Sequence, residues 1–420
     1  MQKEIIENKS INEKMYKYIL DNGMKVLIIP KENTNKKYVI WGTKFGSIDN
    51  HFIEPVNKRE VKVPDGVAHY LEHKMFEQKS GVDSLYTLMA LGLDANAYTT
   101  NDHTAYLFSG CENFYKGLDE LMDYVQNPYF TDQNVEKERG IIGQEIGMYD
   151  DDPFWKLYLN TMKCLYKNNP ITLDIAGTVE SISKITKEIL YDCYTTFYHP
   201  SNMTMCISGN FNPDQLIEEV KKRLIPHEKV GKIIRIYPEY ENDINEKRKE
   251  ATMKINMPMF MIGYRDFAKD EDKIKKDVAQ KIIYNSILGK CSKIYNEMYE
   301  RGLLFHEIDF DYEFSDEYAH TMLSGETKNI DEVYEIITNA LENIEISKED
   351  FERSKKRLYG EYVGSFEDVE DVGRMVLADS MKGINSFDYI NEINNITLEE
   401  CKKIQKQIFK KEKAVLSIVK

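Results

Sequence analysis

The chain has 420 residues, 42% of them hydrophobic and 30% charged, a globular composition too long for one hydrophobic core, so two or three domains are expected. A formal charge of −15 argues against a nucleic-acid partner, which needs a basic face, and against an anionic membrane surface. No apolar run approaches the roughly 20 residues of a membrane helix. The stretch Met1–Met15 lacks the apolar core of a secretory leader. The six cysteines are scattered without a CxxC pair and read as reduced thiols, so a cytoplasmic protein is expected.

In chain order, two apolar runs flank Asp21-Asn22-Gly23 within Tyr18–Ile29, which predicts a hairpin. A strand is predicted at 39–47, a helix at 65–78 and strands again across 94–109. Helical periodicity then runs through 112–125, 131–150 and 186–198, ahead of an apolar strand at Met203–Ile207. Strands and helices in alternating blocks predict an α+β fold, a mainly antiparallel sheet covered by helices on one face.

The same order recurs after a charged stretch at 226–249. Thr131–Glu145 lines up with Ser347–Glu361 at an offset of 216. Leu107–Gly110 resembles Met322–Gly325 at 215, and Ile185–Glu188 resembles Ile396–Glu399 at 211. Three matches in order at nearly one offset predict a tandem duplication of an αβ sandwich domain. The expected organisation is an N-terminal domain over 1–225, a linker over 226–249 and a homologous C-terminal domain over 250–420.

The segment Asp65–Phe76 carries an HxxEH pattern. On a helix, His69, Glu72, His73 and Phe76 share an arc about 100° wide, while Val67, Ala68, Leu71 and Met75 fill the opposite side. Histidines four apart can chelate one ion, and imidazole is a favoured zinc ligand. Glu72, one turn beyond His69, is placed to take a proton from the water that the metal activates and to hand it to a leaving amine. Catalytic zinc takes a third protein ligand. Glu138 and Glu145 lie seven apart on one predicted helix face, and spacing alone does not choose between them. His103 is a rival on chemistry.

With these residues in view, the sequence resembles the inverzincins, the family of pitrilysin, insulin-degrading enzyme and mitochondrial processing peptidase. The resemblance rests on HxxEH at 69–73, the strand Asp94–Tyr106, the ExxxxxxE helix at 138–145 and Tyr198-His-Pro-Ser-Asn-Met203, and it is greatest to half-length bacterial members. It implies that Glu145 is the third zinc ligand, that Glu138 supports a ligand imidazole from behind, and that His103 and His199 bind no metal. It also implies that Asn96, Ala97 and Tyr98 lie on an edge strand that pairs with extended substrate. The second copy has Asn285–Gly289 where the first has His69–His73, so only the N-terminal domain is expected to hold metal.

Active single-chain members of that family carry an Arg and, seven residues on, a Tyr in the second half, which steady the oxyanion. Here Met298 and Phe305 stand at the matching positions, with Tyr299 and Arg301 nearby as substitutes. The resemblance therefore implies a zinc metalloendopeptidase subunit acting on peptides or unstructured segments. Its expected partner is a paralogous chain that supplies the Arg/Tyr pair, with a homodimer as the fallback. The alternatives are a non-catalytic scaffold or binding subunit, which predicts loss of HxxEH or its distant Glu, and a single-domain HxxEH lyase, which a duplicated chain disfavours.

Overall fold

A computed structural model describes residues 1–228, 230–239, 243–267 and 272–420. Its strands in the first part of the chain are β1 (Gln2–Asn8), β2 (Glu13–Ile19), β3 (Lys25–Pro30), β4 (Lys37–Thr43), β5 (His51–Ile53), β6 (Glu60–Lys62), β7 (Asp94–Thr99), β8 (Thr104–Gly110) and β9 (Met203–Gly209). There follow β10 (Ile234–Arg235), β11 (Arg248–Ala251), β12 (Met259–Arg265), β13 (Asp309–Phe314), β14 (Ala319–Glu326) and β15 (Val415–Val419).

They form a seven-stranded sheet in the order β1-β2-β3-β9-β4-β8-β7, a small sheet β10-β5-β6, and a five-stranded sheet β11-β15-β12-β14-β13. Without the N-terminal strands β1 and β2, the large sheet runs β3-β9-β4-β8-β7, strand for strand the order of the third sheet. The directions match as well. β3 pairs parallel with β9 as β11 does with β15, and the other neighbours are antiparallel in both sheets. The duplication read from offsets is thus a repeated topology in an α+β protein.

The Asn-Gly signal forms the predicted hairpin. Gly23 adopts φ +89°, and β2 pairs antiparallel with β3 around it. A side chain at Gly23 would also strike Ser201, whose Cβ stands 2.8 Å from the position a Cβ would take. The helices at two of the three offsets correspond too: Asp132–Asp150 with Lys348–Gly364, and Lys187–Phe197 with Leu398–Ile408, the last two each opened by a threonine cap, Thr186 and Thr397.

The chain divides into two compact units that are discontinuous in sequence. The first comprises Met1–Ile146, Leu173–Ile236 and Gly364–Phe387; the second comprises Gly147–Thr172, Tyr237–Val363 and Asp388–Lys420. These units differ from the consecutive halves 1–225 and 250–420, because each half lends a helix to the other unit. Pro153–Leu165 packs on β11, β12 and β15, and Val369–Met381 packs on β4 and β9. Close helix-to-sheet approach explains two glycines. A Cβ on Gly42 of β4 would stand 2.8 Å from Met381 Cε, and one on Gly263 of β12 would stand 2.9 Å from Thr161 Cγ2. Within the stretch 226–249, β10 pairs with β5 in the first unit and β11 begins the third sheet, while residues 229 and 240–242 lie outside the described ones.

In the first unit the core lies between the large sheet and its helices, with Trp41, Phe76, Tyr106, Phe108, Tyr124 and Phe197 buried together. Burial of this apolar surface is the main stabilising term. No helix of the described residues is long and apolar enough to cross a membrane.

Candidate metal centre

HxxEH lies on the helix Val67–Met75, which starts from Gly66 at φ +88°. Only glycine fits there, since a Cβ would stand 2.4 Å from the carbonyl oxygen of Ala176. The expected apolar face is in place, with Val67, Ala68, Leu71 and Met75 buried. The other side is not open to solvent. His69, Glu72 and Lys74 are buried as well, and of the nine helix residues only His73 is partly exposed. The helix packs on β7 and β8, and the Tyr70 hydroxyl donates to the Val135 carbonyl of the helix Asp132–Asp150.

That second helix buries Asn134, Val135, Glu138, Ile142 and Ile146, a stripe along one face in which Glu138 sits. Glu145, two turns past Glu138, reaches the histidines. His69 Nε2 lies 3.6 Å from Glu145 Oε1, and His73 Nε2 lies 3.4 Å from Glu145 Oε2. One ligand atom from each of these three residues lies within 4.8 Å of the other two, the single group of this kind among the described residues. Zinc bonds of roughly 2.0–2.2 Å at tetrahedral angles set donor atoms roughly 3.4 Å apart. The three residues fit a zinc ion in spacing and in donor type.

Glu138 stands on the opposite edge of the His73 ring. Its Oε1 lies 3.1 Å from His73 Nδ1, and its Oε2 lies 3.6 Å from Lys74 Nζ. Burial would raise the Glu138 carboxyl, but His73 and Lys74 outweigh it and hold the group below the usual carboxylate range. Burial likewise opposes protonation of His73, yet Glu138, Glu72 and Glu145 together raise it above an ordinary imidazole. His69 Nδ1 is buried with no hydrogen-bond partner among the described residues. Glu72 Oε2 accepts a 2.8 Å hydrogen bond from Thr99 Oγ1 at the end of β7. Desolvation lifts the Glu72 carboxyl above its ordinary range against the pull of His69, His73 and Thr99.

The remaining predicted positions fall as follows. Asn96, Ala97 and Tyr98 lie on β7, the last strand of the large sheet, with β8 on one side and no strand on the other among the described residues. The Ala97 N–H donates to Asn96 Oδ1 at 2.9 Å. His103 is outside the His69/His73/Glu145 group and instead meets Asp102 Oδ1 at 2.6 Å and Thr100 Oγ1 at 3.0 Å. His199 is tied to Ser201 Oγ and the Glu228 carbonyl. In the second unit Met298 is buried completely, whereas Tyr299 and Phe305 are exposed and Arg301 pairs with Glu332. Thr99 and Lys74 were not singled out from sequence; a threonine ending a strand and a lysine beside a histidine carry no pattern of their own.

Residues 59–179 match the family model described as insulinase, peptidase family M16, and residues 184–358 match the peptidase M16 inactive domain. A zinc protease of Bacillus subtilis, YmfH, itself uncharacterized, is 37% identical over 407 residues covering 95% of each chain. The chain belongs to peptidase family M16. A second Bacillus subtilis zinc protease, YmxG, is 23% identical over 96% of this chain and 97% of its own. Among solved structures, an M16-like peptidase from Alicyclobacillus acidocaldarius superposes with a TM-score of 0.92 at 32% identity over 99% of both chains. Pitrilysin shares the M16 fold, with a TM-score of 0.76 at 17% identity, and this chain spans 46% of it.

Proposed function

We propose that the chain is the metal-bearing subunit of a zinc metalloendopeptidase. The observation that carries this is the convergence of His69, His73 and Glu145 on one point, with Glu72 on the same helix beside them. His69, His73 and Glu145 hold the ion. Bound zinc supplies Lewis acidity, making a water molecule nucleophilic near neutral pH.

Glu72 is the general base, taking the proton of the attacking water and passing it to the leaving amine. Thr99 fixes the orientation of its carboxylate through the hydrogen bond to Oε2. Glu138 holds His73 by Nδ1 and leaves Nε2 to face Glu145. The open side of β7 at Asn96, Ala97 and Tyr98 takes up an extended peptide backbone. A substrate read this way is a peptide or an unstructured segment, whose extended backbone is not already committed to a fold of its own.

The reading includes a paralogous second chain that supplies an Arg/Tyr pair for the developing oxyanion. Met298 lies in the core of the second unit and Phe305 has no hydrogen-bond donor, so neither meets that need. A cytoplasmic location accompanies this reading, since all six cysteines are unpaired. The test is digestion of a mixed peptide library by zinc-loaded and by chelator-treated protein, with the paralogue present in both. The proposal expects cleavage in the first alone. Cleavage that survives complete zinc removal would refute it.

A further inference from the structure

The lysine that follows HxxEH is placed unlike an ordinary lysine. Lys74 is completely buried, whereas lysines on helices normally carry the ammonium out to water. A buried ammonium needs anionic partners, and Lys74 has two. Its Nζ pairs with Glu77 on one side and lies 3.6 Å from Glu138 Oε2 on the other. Glu77 is itself anchored, because its backbone bridges Asp83, which caps the helix Ser84–Ala90 by accepting from the Leu85 N–H at 2.8 Å. Glu138 is therefore gripped at both oxygens, Oε2 by Lys74 and Oε1 by His73 Nδ1 at 3.1 Å.

We infer that Lys74 is a positioning residue for the metal centre: it pins Glu138, and through Glu138 it sets the rotation of the His73 ring. This rests on the zinc-site reading above. A carboxylate held at one oxygen can pivot about that contact, and a pivot swings the imidazole bonded to it. Held at both, it fixes the ring plane and keeps Nε2 directed at Glu145, 3.4 Å away. The ammonium also keeps a negative charge behind the imidazole, which strengthens its donor nitrogen.

The experiment is a double-mutant cycle on zinc affinity, read by competition with a chromophoric chelator, using the full chain with Lys74→Met, Glu138→Gln and both changes. Outer partners of metal-bound histidines typically change affinity by about 10–100-fold, so Lys74→Met is expected to weaken zinc binding by about tenfold or more. In the Glu138→Gln background the same change is expected to have little further effect, because an amide has a single acceptor oxygen and can no longer be held by Lys74 at one end and His73 at the other. Lys74→Gln, which keeps a donor without the charge, is expected to fall between wild type and Lys74→Met. Equal losses in both backgrounds, or no loss in either, would overturn the inference while zinc binding by the wild type left the metal site itself intact. Failure of wild-type protein to bind zinc would instead refute the zinc-site reading. Loss of the fold in both Lys74 variants, with Glu138→Gln folding normally, would assign Lys74 to the helix core and also overturn the inference.

Discussion

His73 and Glu138, 65 residues apart in sequence, meet with Nδ1 and Oε1 3.1 Å from each other, while the other ring nitrogen of His73 faces Glu145. One glutamate of the ExxxxxxE helix thus stands behind the imidazole and the other stands in front of it. This is the distinction that spacing along the sequence left open.

It predicts different outcomes for the two glutamates. Glu145→Gln removes a donor and should lose zinc on dialysis, whereas Glu138→Gln should keep the site and bind about 10–100-fold more weakly. Zinc per chain after dialysis, with chelator competition for the affinities, distinguishes them. Full zinc retention by Glu145→Gln would move the third ligand elsewhere.

A second prediction concerns the turn between β7 and β8. Asp102 Oδ1 lies 2.6 Å from His103 Nδ1 and also accepts from Thr100 Oγ1 at 3.0 Å. Burial pushes the Asp102 carboxyl up, but His103, Lys382 and Thr100 overcome this and hold it well below the usual carboxylate range. A depressed folded pKa stabilises the fold above the unfolded value of about 3.9. That contribution fades as pH falls through the folded value. Asp102→Asn should therefore cost about 1–3 kcal/mol at pH 7, and its deficit relative to wild type should shrink below about pH 4. Urea midpoints across this range measure it, and a deficit that does not change with pH would contradict a depressed Asp102 carboxyl.

The partner requirement gives a third prediction. Loss of one oxyanion donor typically lowers rate by about 10²–10³, so the chain alone should bind zinc and cleave peptides very slowly. A paralogue bearing the Arg/Tyr pair should restore the rate. Because Met298 is fully buried, Met298→Arg would bury an unpaired charge and should unfold the second unit. Tyr299→Arg with Phe305→Tyr, at exposed positions, is the change expected to raise the activity of a homodimer in the absence of the paralogue. Equal cleavage by the chain with and without the paralogue would refute the requirement.

Much of the fold and site is legible in local pattern. Gly23 fixes the hairpin turn because it takes a left-handed backbone angle, φ +89°, that other residues reach only at a cost, and His69, Glu72 and His73 share a helix face by spacing alone. The repeat offsets survive as equivalent helices and strands. What stays hidden is long-range. The periodicity of Pro153–Leu165 and Val369–Met381 announces helices that cover a sheet, but the pattern does not say which sheet, and each covers strands from the other half of the sequence. Burial of Lys74 and Glu72 is equally silent, since their charge suggests water and only tertiary packing supplies their partners. Thr99 joins the site because β7 runs past the HxxEH helix, a proximity that no spacing encodes.

The measurement that bears most directly on the account is peptide turnover by Glu72→Gln, with its paralogue present and its zinc content determined in the same preparation. The substitution removes the base and spares His69, His73 and Glu145. The account predicts about one zinc per chain, as a single three-ligand site requires, and loss of nearly all turnover relative to wild type. Zinc-loaded Glu72→Gln that cleaves peptides at the wild-type rate would contradict it.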